Sequence, residues 1–391
     1  MSLKKLLQKW SAQNEGFQRL LASVVSIGFG LVFGFILLLC FNAPYAGSGF
    51  LSLISAGFSS SDKFAKVLYQ AAPLIMTGLS VGFAFRTGLF NIGATGQYTV
   101  GAAFALIGAI ELQLPWYVCL LLAMVGGAIW GVFPGLFKAL FNVHEVITSI
   151  MFNWIGLFSV NLLIVNLSQM LAKDWGLAQM DRTAPLDVAN PSALLPKLGL
   201  DQFFGSSYMN IGIFIAIFFA IVMYIVLNKT TFGYEQKACG FNRNASEYAG
   251  INSKRSIVLS MVIAGALSGL GGGLYYLAGT GQYSLLKALV TMGFNGIPVA
   301  LLASSNPVGT IFSALFVSFI QVGGDAMQPE FVREIIDIIV SVIIYLSAFS
   351  LLMRSVIAKW LAPKKGENEQ EPSSTPEIAP ENPAESEATK L

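Results

Sequence analysis

The chain has 391 residues, a formal net charge of +2 and a mean hydropathy of +0.67. Only 11% of its residues are charged, against about 25% in soluble domains. This composition excludes a soluble enzyme, predicts no nucleic-acid partner, and defines an all-α polytopic membrane protein embedded in lipid.

Ten apolar segments are long enough to predict membrane helices: 24–41, 65–85, 95–113, 116–136, 146–168, 209–227, 256–277, 288–304, 307–323 and 335–353. The third, eighth and ninth are glycine-rich, which suits broken or re-entrant segments as well as full crossings. The first follows Lys4, Lys5 and Lys9 as in a signal peptide. It is long for that role and lacks a small-residue cleavage site, so a retained span is expected. Between the fifth and sixth spans, loop 169–208 carries Pro185, Pro191 and Pro196, which favour extended or turn-rich backbone. Residues 366–391 hold seven Glu and one Lys, with Pro and Ser and hardly any large apolar side chain. Such a tail cannot bury enough surface to fold.

Three regions result: a cytoplasmic N-terminal segment 1–23, a transmembrane domain 24–361, and an acidic tail 362–391. The distribution of positive charge sets the orientation. With the N-terminus inside, inner segments hold fifteen Lys and Arg, leaving out the distal tail, and outer segments hold seven. Both termini then lie in the cytoplasm, as does loop 228–255, and loop 169–208 lies outside.

Within that inner loop, Asn244 and Glu247 have capping-box spacing, and Gly250 is placed to stop the helix. The predicted helix has about two turns at 1.5 Å per residue. Ala245, Tyr248 and Ala249 fall on one of its faces. A short capped helix with a small apolar face can seat in a partner's groove; an ordinary connector has the same pattern.

Elsewhere, Gly127, Gly131 and Gly135 repeat at four-residue spacing, as do Gly265, Gly269 and Gly273. Small residues at that interval let helix backbones approach closely. Phe90-Asn91 and Phe294-Asn295, each followed by a Val-Gly-x-x-Phe run, hint at an internal duplication.

Several chemistries are missing from the sequence. There is no Gly-Lys dipeptide, and so no Walker A loop. The single histidine, His144, begins His-Glu-Val-Ile-Thr, so the second zinc ligand of H-E-x-x-H is absent. Cys40, Cys119 and Cys239 are scattered, without disulfide or metal spacing. Carboxylates Glu111, Glu145 and Asp337 sit near span ends, which weakens an ion-coupled relay. The protein is therefore read as a non-enzyme without cofactor or metal, whose energy arrives from another polypeptide.

The run Gly233-Tyr234-Glu235-Gln236-Lys237-Ala238, continuing through Gly240, Asn242, Ala245, Ser246, Tyr248, Ala249, Gly250 and Ile251, resembles the coupling loop of ABC-importer permeases. The resemblance is to the branched-chain amino acid, ribose and simple-sugar superfamily. Three further segments are similar to blocks of its nucleoside and sugar members: Gly88 to Gln97, Asn142 to Asn153, and Gly293 to Leu302. It covers roughly residues 60–350. His144 and Pro298 depart from it, standing where Asn and Ala are usual.

The resemblance implies a bacterial plasma-membrane importer for nucleosides. A simple sugar is the alternative cargo, and a self-sufficient ion-coupled carrier the alternative class. It implies a second related permease subunit, a cytoplasmic ABC ATPase that binds the ATP, and an external substrate-binding lipoprotein. Lys237, Gly240, Asn242, Ala245, Tyr248, Gly250 and Ile251 are the expected ATPase-coupling residues. A neutral nucleoside needs amides that donate and accept, and rings that stack. Phe90, Asn91, Gln97, Asn153, Trp154, Phe294 and Asn295 are the expected path residues; a helix-packing role is the alternative for each.

Overall fold

A computed structural model describes residues 15–285 and 287–348, and among them every regular element is helical. The first helix, α1 (Glu15–Ser55), extends the expected span 24–41 at both ends. It is interrupted at Asn42, whose backbone is extended (φ −151°, ψ 79°), two residues before Pro44. Proline lacks the N–H and crowds the carbonyl four residues back, which explains the break. Helix α2 (Ser61–Arg86) follows, then α3 (Ala94–Ile110), α4 (Trp116–Phe141) and α5 (Glu145–Asn166). After the loop come α6 (Gly212–Lys229), α7 (Thr231–Phe241), α8 (Arg243–Tyr248) and α9 (Ser253–Tyr276). Helices α10 (Thr291–Leu302), α11 (Pro307–Asp325) and α12 (Arg333–Ala348) complete the described chain.

A helix stands at each of the ten expected spans, but they are not equal. Among the described residues, seven are long and apolar enough to cross a bilayer. The expected spans 95–113 and 288–304 form only 17- and 12-residue helices. At 1.5 Å per residue these reach about 25 and 18 Å, short of the ~30 Å hydrocarbon core. The last expected span, 335–353, runs past the described residues. The acidic tail and residues 1–14 also lie outside them.

Helices α2, α3 and α9 form the centre, with α4 closing against α9 and α10 and α11 against α2. The two glycine triplets meet at the α4–α9 contact. A Cβ on Gly127 would lie 2.7 Å from the Gly269 Cα, and one on Gly269 would lie 2.8 Å from the Gly127 Cα. Gly131 faces the Met261 backbone in the same way. The backbones touch because neither side presents a side chain, and dispersion between close-packed chains then holds the helices together.

Loop 169–208 is folded over one end of this bundle. Its prolines introduce or flank short helical turns at Leu186–Ala189 and Pro191–Ala193. The Asn190 amide donates to the carbonyls of Ala109 and Leu114 at 2.9 and 3.1 Å, and the Leu195 N–H donates to that of Leu277 at 2.9 Å. Segment 231–251 meets the opposite end of α9, at Ser253. The 24 residues of α9 separate the two loops, about 36 Å at helical rise.

Candidate functional site: a braced loop, a short exposed helix and a tyrosine cluster

The Gly88–Gln97 segment links α2 to α3. Gly88 turns the chain with φ +75°, a conformation that glycine adopts without the Cβ penalty. Asn91 and Gln97 are fully buried. Their amides exchange hydrogen bonds: Asn91 Nδ2 donates to Gln97 Oε1 at 2.8 Å, and Gln97 Nε2 donates to Asn91 Oδ1 at 3.2 Å. Asn91 Nδ2 also reaches Ser80 Oγ at 3.0 Å. From α5, Asn153 closes the bracket. Its Oδ1 accepts from the Gly96 N–H at 2.8 Å, and its Nδ2 donates to the Ile92 carbonyl at 3.1 Å.

These three amides are thus brought together, but with their hydrogen bonds turned toward each other and the backbone. In an apolar interior, each such bond removes the cost of an unpaired polar group. Phe90 is half-buried and stacks on Phe85, with centroids 4.9 Å apart. Trp154 is not part of the group. It is 40% exposed and stacks on Phe158 along the outside of α5, because one helical step turns it about 100° from Asn153. On α10, Gly296 seats against Thr77 and Gly293 against Thr95. Phe294 and Asn295 between them are half-buried.

The segment between α6 and α9 is a helix pair. Thr230 caps α7, accepting from the Gly233 N–H at 3.1 Å. Asn242 caps α8: its backbone is extended, and its Oδ1 accepts from the Ala245 N–H at 3.0 Å. The expected capping box at Asn244 and Glu247 is not formed. Asn244 lies inside the helix, and the Glu247 carboxylate turns instead to Ser253 and Arg243. These bonds, the Ser253 hydroxyl first and the Arg243 cation after it, hold the Glu247 carboxyl below the usual range. The helix stops as expected at Gly250, φ +83°.

Ala245, Tyr248 and Ala249 all face outward, with Tyr248 94% exposed, while Ser246 is buried beneath them. Phe241 and Tyr234 extend the aromatic surface, 91% and 70% exposed. Of the other expected coupling residues, Asn242 and Gly250 are exposed, while Lys237, Gly240 and Ile251 are half-covered. Gly240 lies against the Gly88 turn. Lys237 is half-buried beside Asn228, and Ile251 is half-buried after the stop.

Sequence reasoning missed a third feature. Tyr69 of α2 stacks on Tyr275 of α9 at 5.4 Å and packs against Tyr208 at 5.7 Å. Tyr276 meets Tyr283 at 5.7 Å, and the Tyr283 hydroxyl donates to Asn161 Oδ1 at 3.1 Å. Tyr98 of α3 is fully buried, and its hydroxyl has no hydrogen-bond partner among the described residues. Its signal in the sequence was the Tyr275-Tyr276 pair following the Gly271-Gly273 run, which reads as ordinary core.

A bundle of membrane-length helices, interrupted by short ones and braced by buried neutral amides, defines a multi-pass membrane protein. The chain belongs to the family of permease components of branched-chain amino acid transport systems, whose model matches residues 64–348. It is similar to the guanosine ABC transporter permease protein NupP of Bacillus subtilis strain 168, 36% identical over 89% of this chain and 98% of that protein. It is also similar to the nucleoside ABC transporter permease protein NupB of Lactococcus lactis subsp. cremoris, 34% identical over 90% of this chain and 97% of the relative. A third relative, the guanosine ABC transporter permease protein NupQ of Bacillus subtilis, is 30% identical over 65% of this chain and 79% of its own length. No solved structure matches the chain.

Proposed function

We propose that this chain is one permease subunit of a bacterial ABC importer that carries nucleosides across the plasma membrane. The observation that carries the reading is the end-to-end similarity to NupP, which is named for guanosine. Two different relatives of this chain, NupP and NupQ, are both named as guanosine permeases of one organism. A second, homologous permease subunit therefore completes the pore. An ABC ATPase binds the ATP on the inner side, and an external lipoprotein delivers the substrate. Both termini lie in the cytoplasm, with loop 169–208 outside.

Helix α8 seats its Ala245–Tyr248–Ala249 face in the ATPase. The inward side of the same segment has two routes to the bundle. Glu247 and Arg243 hold Ser253 at the start of α9, and Gly240 bears on the turn at Gly88. Closure of the ATPase moves α8 as a stiff element, and the bundle rocks between its two openings.

The Asn91–Gln97–Asn153 bracket then holds the start of α3 rigid, rather than binding cargo. Tyr98, with its buried hydroxyl unpartnered among the described residues, and half-buried Tyr275 supply what a nucleoside needs, a hydroxyl and a stacking face in an apolar setting. The Tyr69 hydroxyl is given to the Tyr275 carbonyl.

Uptake of labelled guanosine by vesicles holding all the subunits tests this reading. ATP-dependent uptake inhibited by unlabelled nucleosides and unaffected by ribose is expected. Inhibition by ribose instead, or uptake by the lone chain driven by an ion gradient, overturns it.

A further inference from the structure

Four helices meet at the inner rim of the bundle, where α2 and α6 end and α11 begins, with α7 beside them. They line an open pocket of about 160 Å³ at the surface. Arg86 enters it from α2 and Lys237 from α7; Tyr224, Asn228 and Asn306 line the rest of its polar wall. No lining residue is acidic. Neither Arg86 nor Lys237 makes an ion pair among the described residues.

Arg86 is anchored but not neutralised, and Lys237 is only loosely held. Arg86 donates through Nε to the Ser305 carbonyl at 3.1 Å and through Nη2 to that of Ser304 at 3.3 Å. That leaves most of its five N–H donors unused. The Lys237 ammonium touches only Asn228 Oδ1, at 3.5 Å. Two positive charges lining one small pocket repel each other, and an anion between them removes that cost. The volume suits a phosphate group with a few waters, since water occupies ~30 Å³.

The location selects the source. Helices α2, α6 and α11 are all long and apolar enough to cross a bilayer, and the cavity lies where they end. Lipid phosphates occupy that level, and basic pockets between helix ends bind anionic headgroups. We infer that this cavity binds the phosphodiester headgroup of an anionic phospholipid, which ties α7 to α2, α6 and α11. Lys237, expected from the sequence to meet the ATPase, thereby faces lipid.

Native mass spectrometry of the full-length protein, assembled with its partner subunits in detergent, tests this with added phosphatidylglycerol or phosphatidylcholine. Wild type should retain phosphatidylglycerol over phosphatidylcholine. Lys237→Gln should weaken retention about fivefold and Arg86→Gln with Lys237→Gln about 25-fold, at ~1 kcal/mol per cation. Lys237→Gln alone is sufficient, since it breaks one long surface hydrogen bond. Lys229→Gln, at the end of α6 but outside the cavity lining, should leave retention unchanged. A second arm adds inorganic phosphate. If it displaces phosphatidylglycerol and raises the melting temperature of wild type but not of Lys237→Gln, the site stands with free phosphate as its source. Equal retention by wild type and Lys237→Gln overturns the proposal, as does an equal loss with Lys229→Gln.

Discussion

Gly240 and Gly88 meet backbone to backbone. A Cβ on Gly240 would lie 2.7 Å from the Gly88 nitrogen, and a Cβ on Gly88 would lie 2.6 Å from the Gly240 Cα. The first glycine belongs to the segment proposed to receive motion from the ATPase, the second to the loop braced by Asn91 and Asn153. Gly240→Ala must separate them. A destabilisation of about 1–3 kcal/mol is expected, the range for overpacking a close contact. In assembled transporters, uptake per ATP hydrolysed should fall; unchanged stoichiometry and melting would remove this contact from the coupling route.

Tyr248 predicts the opposite balance. Its side chain is 94% exposed, so Tyr248→Ala should change the melting temperature of the isolated subunit little, within the ±0.5 kcal/mol typical of surface positions. Pull-down of the ATPase should weaken, and ATP-driven uptake with it. Full ATPase binding by the variant would show that the outward face of α8 is not the seat.

Asn153 separates bracing from cargo binding. Asn153→Ala leaves the buried Gly96 N–H and the Ile92 carbonyl without their partner. Each unsatisfied group costs about 1–3 kcal/mol. Thermal melting should drop while the order in which different nucleosides inhibit uptake stays the same. A reordering at unchanged stability would return Asn153 to the substrate path.

The triplet contact between α4 and α9 admits no side chain. Gly127→Val should destabilise the subunit more strongly than the same change at Gly176, which lies in a loop. A Cβ at Gly176 meets nothing within 4 Å, but its φ is +74°, so Gly176→Val carries backbone strain of ~1–3 kcal/mol alone. Melting of both variants checks the order.

Glu247 gives a pH dependence. Its folded carboxyl is held below the ordinary value by Ser253 and Arg243. The stabilisation of the α8–α9 junction is therefore present above the unfolded-state pKa and lost as pH falls through the lower folded one. Hydrogen-exchange protection at residues 243–253, taken relative to the intrinsic exchange rate at each pH, should fall below about pH 4, the usual Glu range. Glu247→Gln should abolish that pH dependence; its persistence in the variant would assign it to another group.

The sites of the ten helices, the glycine triplets and the stop at Gly250 were legible because each depends on local chemistry. Apolar runs report burial, four-residue glycine spacing reports a smooth helix face, and glycine reports a left-handed turn. Helix lengths were less legible. Hydropathy continues through 95–113 and 288–304, yet the backbone leaves the helix earlier, at Ile110 and Leu302. The capping residue was misplaced by two positions. Asn242 and Asn244 both have suitable side chains, and which one adopts extended backbone is decided by how α7 ends.

Among the path candidates, sequence identified polar residues in apolar surroundings but not their partners. Asn91 and Gln97 are six residues apart, and either could hydrogen-bond to cargo or to the other. Trp154 and Asn153 are neighbours in the chain and point to different environments.

The sequence by itself determined that this is a helical membrane protein with glycine faces and a capped polar segment between two apolar spans, because composition and short-range periodicity carry those properties. Only the tertiary structure decided that Gly240 lies on the Gly88 turn, that the amides face each other, and that Arg86 and Lys237 share a cavity. Those relationships join residues from six to 152 positions apart, and no local pattern encodes distance across a fold.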